Sequence, residues 1–212
     1  MSMGDRTGRL DAFTDAAFAF AVSLLVIGGG EAPKDFDQLL RALKDAPAFV
    51  FGFTVIAVFW LGHVRWRALR GEGDTRSLLL TLLLVFLVLI YVQPLRSMAS
   101  ATGLWLRGEG AAYRGNIAGL FAVYGSGFAV MSAAMAALFR DALRNPDLEG
   151  AGRRKARGEC AIWLILAATG ALSVAVSFTR YGVWAAMLYT TLPLTIGLFA
   201  SRYDWKGERG PG

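Results

Sequence analysis

The sequence has very little of the chemistry on which most enzymes and metal sites depend. It contains one cysteine, Cys160, and one histidine, His63, among 212 residues. A single cysteine excludes an intrachain disulfide, and a single histidine makes a His/Cys metal cluster implausible. A Gly-rich phosphate loop and a nucleophile elbow are also absent from the sequence. We therefore expect no catalytic residues, no metal site and no cofactor, and we predict that the protein is not an enzyme.

Charge is scarce as well. Only 18% of the residues are charged and 55% are hydrophobic, whereas a soluble domain has about 25% charged residues. The mean hydropathy is +0.46, and the charges collect in short clusters between long apolar runs, a pattern typical of a chain embedded in a lipid bilayer. The net charge of +6 does not indicate a nucleic-acid partner, because the basic residues flank apolar runs, where they set membrane topology.

Six stretches are long and apolar enough to cross a bilayer, which takes roughly 20 residues of helix. The sequence thus predicts an all-α, integral, multi-pass membrane protein with six transmembrane helices. We expect residues 1–206 to form a single six-helix domain and residues 207–212 to form a disordered tail. The predicted spans are Ala12–Gly29, Ala46–Val64, Ser77–Leu95, Ile117–Leu138, Ala161–Phe178 and Val183–Ala200.

The distribution of basic residues predicts the orientation of these helices. Of the 22 Lys and Arg residues, 15 fall in the N-terminus, the C-terminus and the even-numbered connections, and seven fall in the other connections. Cytoplasmic segments carry the excess of Lys and Arg. Both termini are therefore predicted to be cytoplasmic, which agrees with an even number of spans.

The connection between the first two spans has a pattern of its own. Its apolar side chains recur at helical spacing, and charged residues lie elsewhere on the helical wheel. Asp35 is placed to cap the start of this segment, and Pro47 is placed to open the next helix. We predict a short amphipathic helix at the outer interface of the membrane. Its apolar residues are Phe36, Leu39, Leu40 and Leu43.

Prolines and small residues give further predictions about the helices. Pro94 is expected to end the third span and Pro193 to kink the sixth. The segment 145–158 is polar and contains glycine, which indicates a mobile linker. Small residues at four-residue spacing in the fourth and fifth spans, among them Gly125 and Gly170, indicate close helix packing.

Ionisable residues are rare within the spans. Only Asp15 and His63 occur, both near the cytoplasmic ends of their helices. Buried ionisable groups are costly and mark the sites of intramembrane enzymes and ion-coupled carriers. Their scarcity argues against both classes. Asp15 either joins a network with neighbouring helices or complements the positive N-terminal end of its own helix.

The first span carries an apolar stripe. At about 100° per residue, Phe13, Phe20 and Ile27 fall on one side of the helix, with Ser23 and Leu24 beside them. If this stripe faced a symmetry axis, it would form stacked apolar rings that gate or select by dewetting and size. The stripe can equally face lipid or pack against neighbouring helices, as apolar stripes of membrane helices commonly do.

Two motifs resemble those of a known family. The first span opens with a pattern that resembles the R-x-x-x-F-[ST]-D signature of the lysosomal potassium channel family of the transmembrane-protein-175 type, including its short bacterial members. The second span resembles the W-x-x-H motif of the same family. The residues that carry the resemblance are Arg9, Phe13, Thr14 and Asp15 in the first motif and Pro47, Phe53, Trp60 and His63 in the second.

The resemblance implies a homotetramer in which four copies of the first helix line a central cation pore. It further implies that apolar layers on this helix form the constriction, in place of the carbonyl filter of other potassium channels. The constriction residues would be Phe20, Ser23 and Ile27, with Leu24 adjacent. The family usually has an aliphatic residue at the position of Phe20 and Thr at that of Ser23.

The signature residues are expected to have a structural role. We predict a hydrogen-bonded and ionic network in which Asp15 and Arg9 meet Trp60 and His63 and attach the first helix to the second. Phe13 and Thr14 belong to the same signature.

The function expected from the sequence is a passive, potassium-preferring channel in a bacterial plasma membrane, with potassium ions and the lipid bilayer as partners. Two alternatives stay open. The protein could be a secondary carrier or permease, or a non-conducting membrane interaction protein.

Overall fold

A computed structural model describes residues 3–27, 34–44, 46–108 and 115–203. These ranges contain seven α-helices and one 3₁₀ helix, and none of the described residues forms a strand. The elements are α1 (Met3–Ile27), α2 (Phe36–Lys44), α3 (Ala46–Arg70), α4 (Thr75–Leu106), α5 (Ile117–Ala142), α6 (Gly150–Ser177), the 3₁₀ helix (Gly182–Thr191) and α7 (Leu192–Arg202).

The protein is an integral, multi-pass membrane protein. Five helical segments within the described ranges have the length and apolar composition to cross a bilayer, one fewer than the sequence predicts. The sixth predicted crossing, Ala12–Gly29, begins within α1 and extends past Ile27, beyond the described residues. The five segments are Phe49–Arg70, Thr75–Trp105, Ile117–Ala142, Gly150–Ser177 and Trp184–Arg202.

Two sequence predictions about helix ends are wrong. Pro94 does not end its helix, because α4 continues through it to Leu106. Transmembrane helices tolerate proline because neighbouring helices, Ser and Thr side chains and local adjustments of the helix re-satisfy the freed backbone groups. The predicted mobile linker over 145–158 is also wrong, since α6 begins at Gly150. The basic residues of this segment are good helix formers and extend the membrane helix outward.

Other local predictions are confirmed. The amphipathic segment forms α2, and Asp35 caps it by accepting a 2.7 Å hydrogen bond from the backbone N–H of Gln38. Pro47 is the second residue of α3. Pro193 is the second residue of α7, directly after the 3₁₀ helix. The regular geometry of the last span therefore changes at this proline.

Small residues allow α5 and α6 to pack closely, as their spacing predicts. A Cβ atom added at Gly170 would lie 2.9 Å from both the backbone nitrogen of Ala129 and the carbonyl oxygen of Gly125. Aromatic rings fill the neighbouring core. Phe59 lies 5.1 Å from Trp163, measured between ring centroids. This packing brings α3, α5 and α6 together in the core, and the remaining helices pack around them.

Polar contacts collect at one end of the bundle, which we call the basic end. Here α1, α4 and α6 begin and α3 and α5 end. Arg65 of α3 lies 3.4 Å from Glu159 of α6. The hydroxyl of Tyr203, which follows α7, donates a 2.7 Å hydrogen bond to the carbonyl oxygen of Arg154. The described chain therefore begins and ends at the same end of the bundle.

Candidate pore-lining helix and its polar contacts

One face of α1 packs against α3 and α4. The buried residues on this face are spaced three or four apart, as expected for one side of a helix. Leu25 fits against Gly52 of α3, where an added Cβ would lie only 2.8 Å from a Leu25 methyl group. The buried residues of α1 are Thr14, Phe18, Ala21 and Leu25.

The opposite face of α1 is exposed within the part of the chain that the structure describes. Phe13 is 53% exposed and Phe20 is 56% exposed, and Ser23 lies on the same side. The Ser23 hydroxyl donates a 3.0 Å hydrogen bond to the carbonyl oxygen of Ala19, so its hydrogen is used within the helix. Leu24 lies at the flank and packs partly against the core. Phe20 and Ser23 thus share a free face, and Ile27 is the last residue of α1.

Asp15 and Trp60 join α1 to α3. The indole Nε1–H of Trp60 donates a 2.9 Å hydrogen bond to Oδ1 of Asp15. Hydrogen bonds to a charged acceptor are stronger than those between neutral groups. Asp15 lies more than three turns from the start of α1 at Met3, so the alternative that it complements the N-terminal end of its own helix is wrong.

A second polar contact joins the same two helices nearer the basic end. The guanidinium Nε of Arg67 lies 2.9 Å from Oδ1 and 3.1 Å from Oδ2 of Asp11, and Nη1 of Arg67 donates to the carbonyl oxygen of Gly71. The sequence reasoning missed this pair. The available signal was spacing, because Asp11 precedes Asp15 by one helical turn and Arg67 lies two turns beyond Trp60.

His63 contacts α4 and not Asp15. It is only 3% exposed, and its Nε2 lies 3.4 Å from Oγ1 of Thr81. Arg9 is exposed and makes no hydrogen bond or ion pair with any residue in the described ranges. Thr14 is buried and donates a 2.8 Å hydrogen bond to the carbonyl oxygen of Leu10. The structure therefore brings Asp15 and Trp60 together and leaves Arg9, Thr14 and His63 outside that contact.

An open cavity of about 500 Å³ lies between α1 and α3 at the basic end. Its polar lining residues are Asp11, Asp15, His63, Arg67 and Glu72. The described residues contain no group of three or more His, Cys, Asp or Glu side chains arranged to hold a metal ion. The cavity beside α1 is thus lined by both acidic and basic side chains.

A family comparison identifies the segment that contains these contacts. Residues 9–92 match the model of the family described as endosomal/lysosomal potassium channel TMEM175. The resemblance predicted from the sequence motifs is confirmed over this segment, which runs from α1 to just past the middle of α4. The matched family is a channel family and not an enzyme family, in agreement with the sequence prediction.

A relative in Marivirga tractuosa, named as a potassium channel, is 33% identical over 96 residues. The alignment covers 45% of this chain and 38% of the relative. The matched region therefore spans less than half of the length of either protein.

Two solved structures share the fold over nearly the whole chain. A crystal structure of a variant of the potassium channel MtTMEM175, bound to a nanobody fusion protein, superposes with a TM-score of 0.78 at 22% identity and covers 91% of each chain. A lysosomal potassium-selective channel TMEM175 homologue from Chamaesiphon minutus gives a TM-score of 0.65 at 20% identity, over 94% of this chain and 99% of that one. At this identity the likeness shows the fold alone.

Proposed function

We propose that this protein is a passive, potassium-preferring cation channel whose narrowest point is formed by α1. The observation that carries the proposal is the match of residues 9–92 to the TMEM175 potassium channel family. That segment contains α1 from Arg9 onward and both residues of the Asp15–Trp60 contact. The segment that matches the family therefore includes the helix with an exposed face, α1.

The exposed face of α1 supports a pore-lining role. Its side chains are apolar or internally hydrogen-bonded, and the opposite face is held against the subunit core. In a homotetramer, four such faces surround a central axis. Phe20, Ser23 and Ile27 then form successive narrow layers, with Leu24 at their edge. Apolar rings of this kind close a pore by excluding water.

Selectivity for potassium over sodium is expected to be modest. Rings of phenyl edges and methyl groups cannot replace the hydration shell of an ion, whereas carbonyl filters do. The Phe20 ring is bulkier than the aliphatic side chains usual at this position of the family. We therefore expect a narrower constriction and a lower resting conductance in this protein.

The proposed topology has six crossings, with α1 counted as the first. Its 25 residues extend about 37 Å, enough to span a hydrocarbon core of about 30 Å. Both ends of the described chain lie at the basic end, which supports an even number of crossings. The positive-inside rule places this end in the cytoplasm, in a bacterial plasma membrane.

Ion flux into liposomes tests the proposal. The purified protein is reconstituted, and uptake of potassium and of sodium is measured separately for the wild type and for Phe20→Ala. Removing four phenyl rings from one pore layer lowers the barrier to hydration, so the variant should conduct faster and discriminate less. Phe86→Ala is the matched control, because Phe86 is 59% exposed but lies on α4.

Three results would contradict parts of the proposal. Equal effects of Phe20→Ala and Phe86→Ala would show that α1 does not form the narrow point. Uptake that saturates with one solute and requires a coupled ion gradient would indicate a carrier. The third result is that neither the wild type nor Phe20→Ala conducts any cation, although both are folded and correctly inserted. That result would exclude the channel function and favour a membrane interaction protein.

A further inference from the structure

A second depression at the basic end lies between α5 and α6 and reaches the start of α4. Its volume is about 470 Å³, and none of the contacts that join α1 to α3 borders it. We call it the α5–α6 groove. Its lining residues are Arg76, Ala133, Ala136, Ala137, Arg140, Cys160 and Leu164.

The floor of the groove is apolar and shallow. Ala136 is buried, whereas Ala133 and Ala137 are at least partly exposed. Leu164 of α6 forms a wall and is 54% exposed. From Ala133 to Arg140 the floor runs seven residues along α5, or about 10 Å. The three alanines of the floor lie within the predicted span Ile117–Leu138, and a trough of this length matches the upper part of an acyl chain.

The rim of the groove is positively charged. Arg140 is exposed and makes no ion pair with any residue in the described ranges. Arg76 is 53% exposed, and its Nε lies 3.7 Å from Oδ1 of Asp141. That carboxylate is fully buried, and its other oxygen is already bound by Arg70. Both rim guanidinium groups are therefore exposed and keep N–H donors that no residue in the described ranges uses.

A third arginine lies on the same side of α6. Arg157 is exposed and precedes Cys160 by three residues and Leu164 by seven, so all three share one helix face. Guanidinium groups recognise phosphate through paired N–H donors. Basic pockets between transmembrane helices on the cytoplasmic side commonly receive anionic lipid head groups.

We propose that the α5–α6 groove binds one anionic phospholipid from the leaflet at the basic end. The phosphate lies between Arg76 and Arg140, and the first part of an acyl chain lies along the alanine floor. Charge complementarity selects an anionic head group. The apolar floor favours a lipid over free phosphate, because free phosphate has no acyl chain to contact it. The site is separate from α1, so the proposal holds whether or not the protein conducts ions.

The only cysteine of the chain reports on this groove. Cys160 is partly exposed, and its Sγ lies 3.5 Å from the carbonyl oxygen of Ala136. Full-length protein in a mild nonionic detergent is titrated with phosphatidylglycerol or phosphatidylcholine, and the rate of maleimide labelling at Cys160 is measured. At a lipid concentration ten times the dissociation constant, bound phosphatidylglycerol should slow labelling roughly tenfold by mass action, and phosphatidylcholine should act only at much higher concentration.

Two variants separate the contributions of head group and chain. Combining Arg76→Gln with Arg140→Gln should abolish the preference for phosphatidylglycerol, with a loss of roughly tenfold in affinity for each charged contact. The control combines Lys155→Gln with Arg180→Gln, which removes two exposed charges outside the groove and should leave the preference intact. Ala133→Leu fills the floor without a charge change and should weaken protection by both lipids.

Four outcomes would overturn the proposal. The first is equal protection of Cys160 by the two lipids, and the second is an equal loss of preference in the control variant. The third is full protection by inorganic phosphate alone, which would indicate an anion site without a lipid. The fourth is labelling that stays slow in every lipid and rises only when the assembly dissociates, which would show that a second subunit covers the groove.

Discussion

Arg70, at the end of α3, donates a 2.9 Å hydrogen bond from Nε to Oδ2 of Asp141, near the end of α5, and both residues are buried. Ser77 of α4 donates a 2.6 Å hydrogen bond from its hydroxyl to the same oxygen. One carboxylate therefore holds three helices together at the basic end. Taking these groups out of water is costly, so the contact is stable only while all of its members are present.

Removing the carboxylate should be strongly destabilising. Asp141→Ala leaves the buried Arg70 guanidinium without its main counter-charge, and the expected loss in the free energy of unfolding is about 3–5 kcal/mol. Asp141→Asn keeps an acceptor oxygen and should lose less. The measurement is unfolding of the purified protein in detergent, with Asp147→Asn as an exposed control. If Asp141→Ala unfolded like this control, the buried pair would contribute no stability.

The close approach of α5 and α6 makes a second prediction. Gly170→Ala introduces a Cβ that would collide with backbone atoms of Ala129 and Gly125, so the helices must separate. We expect a loss of about 1–3 kcal/mol, measured as lowered unfolding stability. Gly197→Ala is the matched control, because a Cβ there meets nothing within 4 Å, and it should be neutral or slightly stabilising. The same loss in both variants would point to backbone flexibility and not to helix contact.

Two helix caps should differ in their response to acid. Asp74 caps α4 and Asn116 caps α5, each accepting a 2.9 Å hydrogen bond from the backbone N–H three residues later. The hydrogen bond from the Ser77 backbone N–H lowers the pKa of the Asp74 carboxyl below its ordinary value of 3.8. The stability that this charge adds is therefore complete above pH 3.8 and is lost as the pH falls through the lowered pKa.

Replacing either cap with alanine should cost about 1 kcal/mol at neutral pH. In acid the cost of Asp74→Ala should shrink, since the wild-type carboxyl is then protonated, and the cost of Asn116→Ala should stay constant. Unfolding midpoints measured from neutral to acidic pH compare the two variants. A cost for Asp74→Ala that does not change with pH would contradict the assigned role of its charge.

A double-mutant cycle can measure the contact between α1 and α3. Trp60→Phe removes the indole N–H, and Asp15→Ala removes the carboxylate that accepts it. If the 2.9 Å contact stabilises the protein, the two losses should be less than additive by about 1–3 kcal/mol. Additive losses would show that the two groups act independently. Because Trp60 is 38% exposed, the indole can be replaced without opening a core cavity.

The local features of this fold could be predicted from the sequence because they depend on neighbouring residues. Apolar runs located the membrane helices, and helical spacing located α2 with its cap at Asp35. The motif resemblance placed Asp15 and Trp60 in one network, and the structure shows that contact. Pro94 misled the prediction because its rule describes helices in water, whereas transmembrane helices can continue through proline when neighbouring groups satisfy the freed backbone.

The contacts between distant helices could not be predicted in the same way. The partner of His63 depends on how α4 rotates against α3, and no pattern within either helix specifies that rotation. Arg70 and Asp141 are 71 residues apart in the chain and lie just beyond the apolar runs, where charged residues normally face water. Only the assembled bundle buries them, because the helices extend past the predicted spans.

The two polar contacts between α1 and α3 have a mechanical consequence. A helix held by a single contact can pivot about that contact. A helix held by two contacts at different levels cannot pivot in this way or rotate about its own long axis. Asp11 and Asp15 lie one helical turn apart on α1, and both bind α3. The rotation of α1 about its own axis is therefore fixed relative to α3. In the proposed channel, a widening at Phe20 that preserves both contacts would therefore come from a tilt of α1 and α3 together.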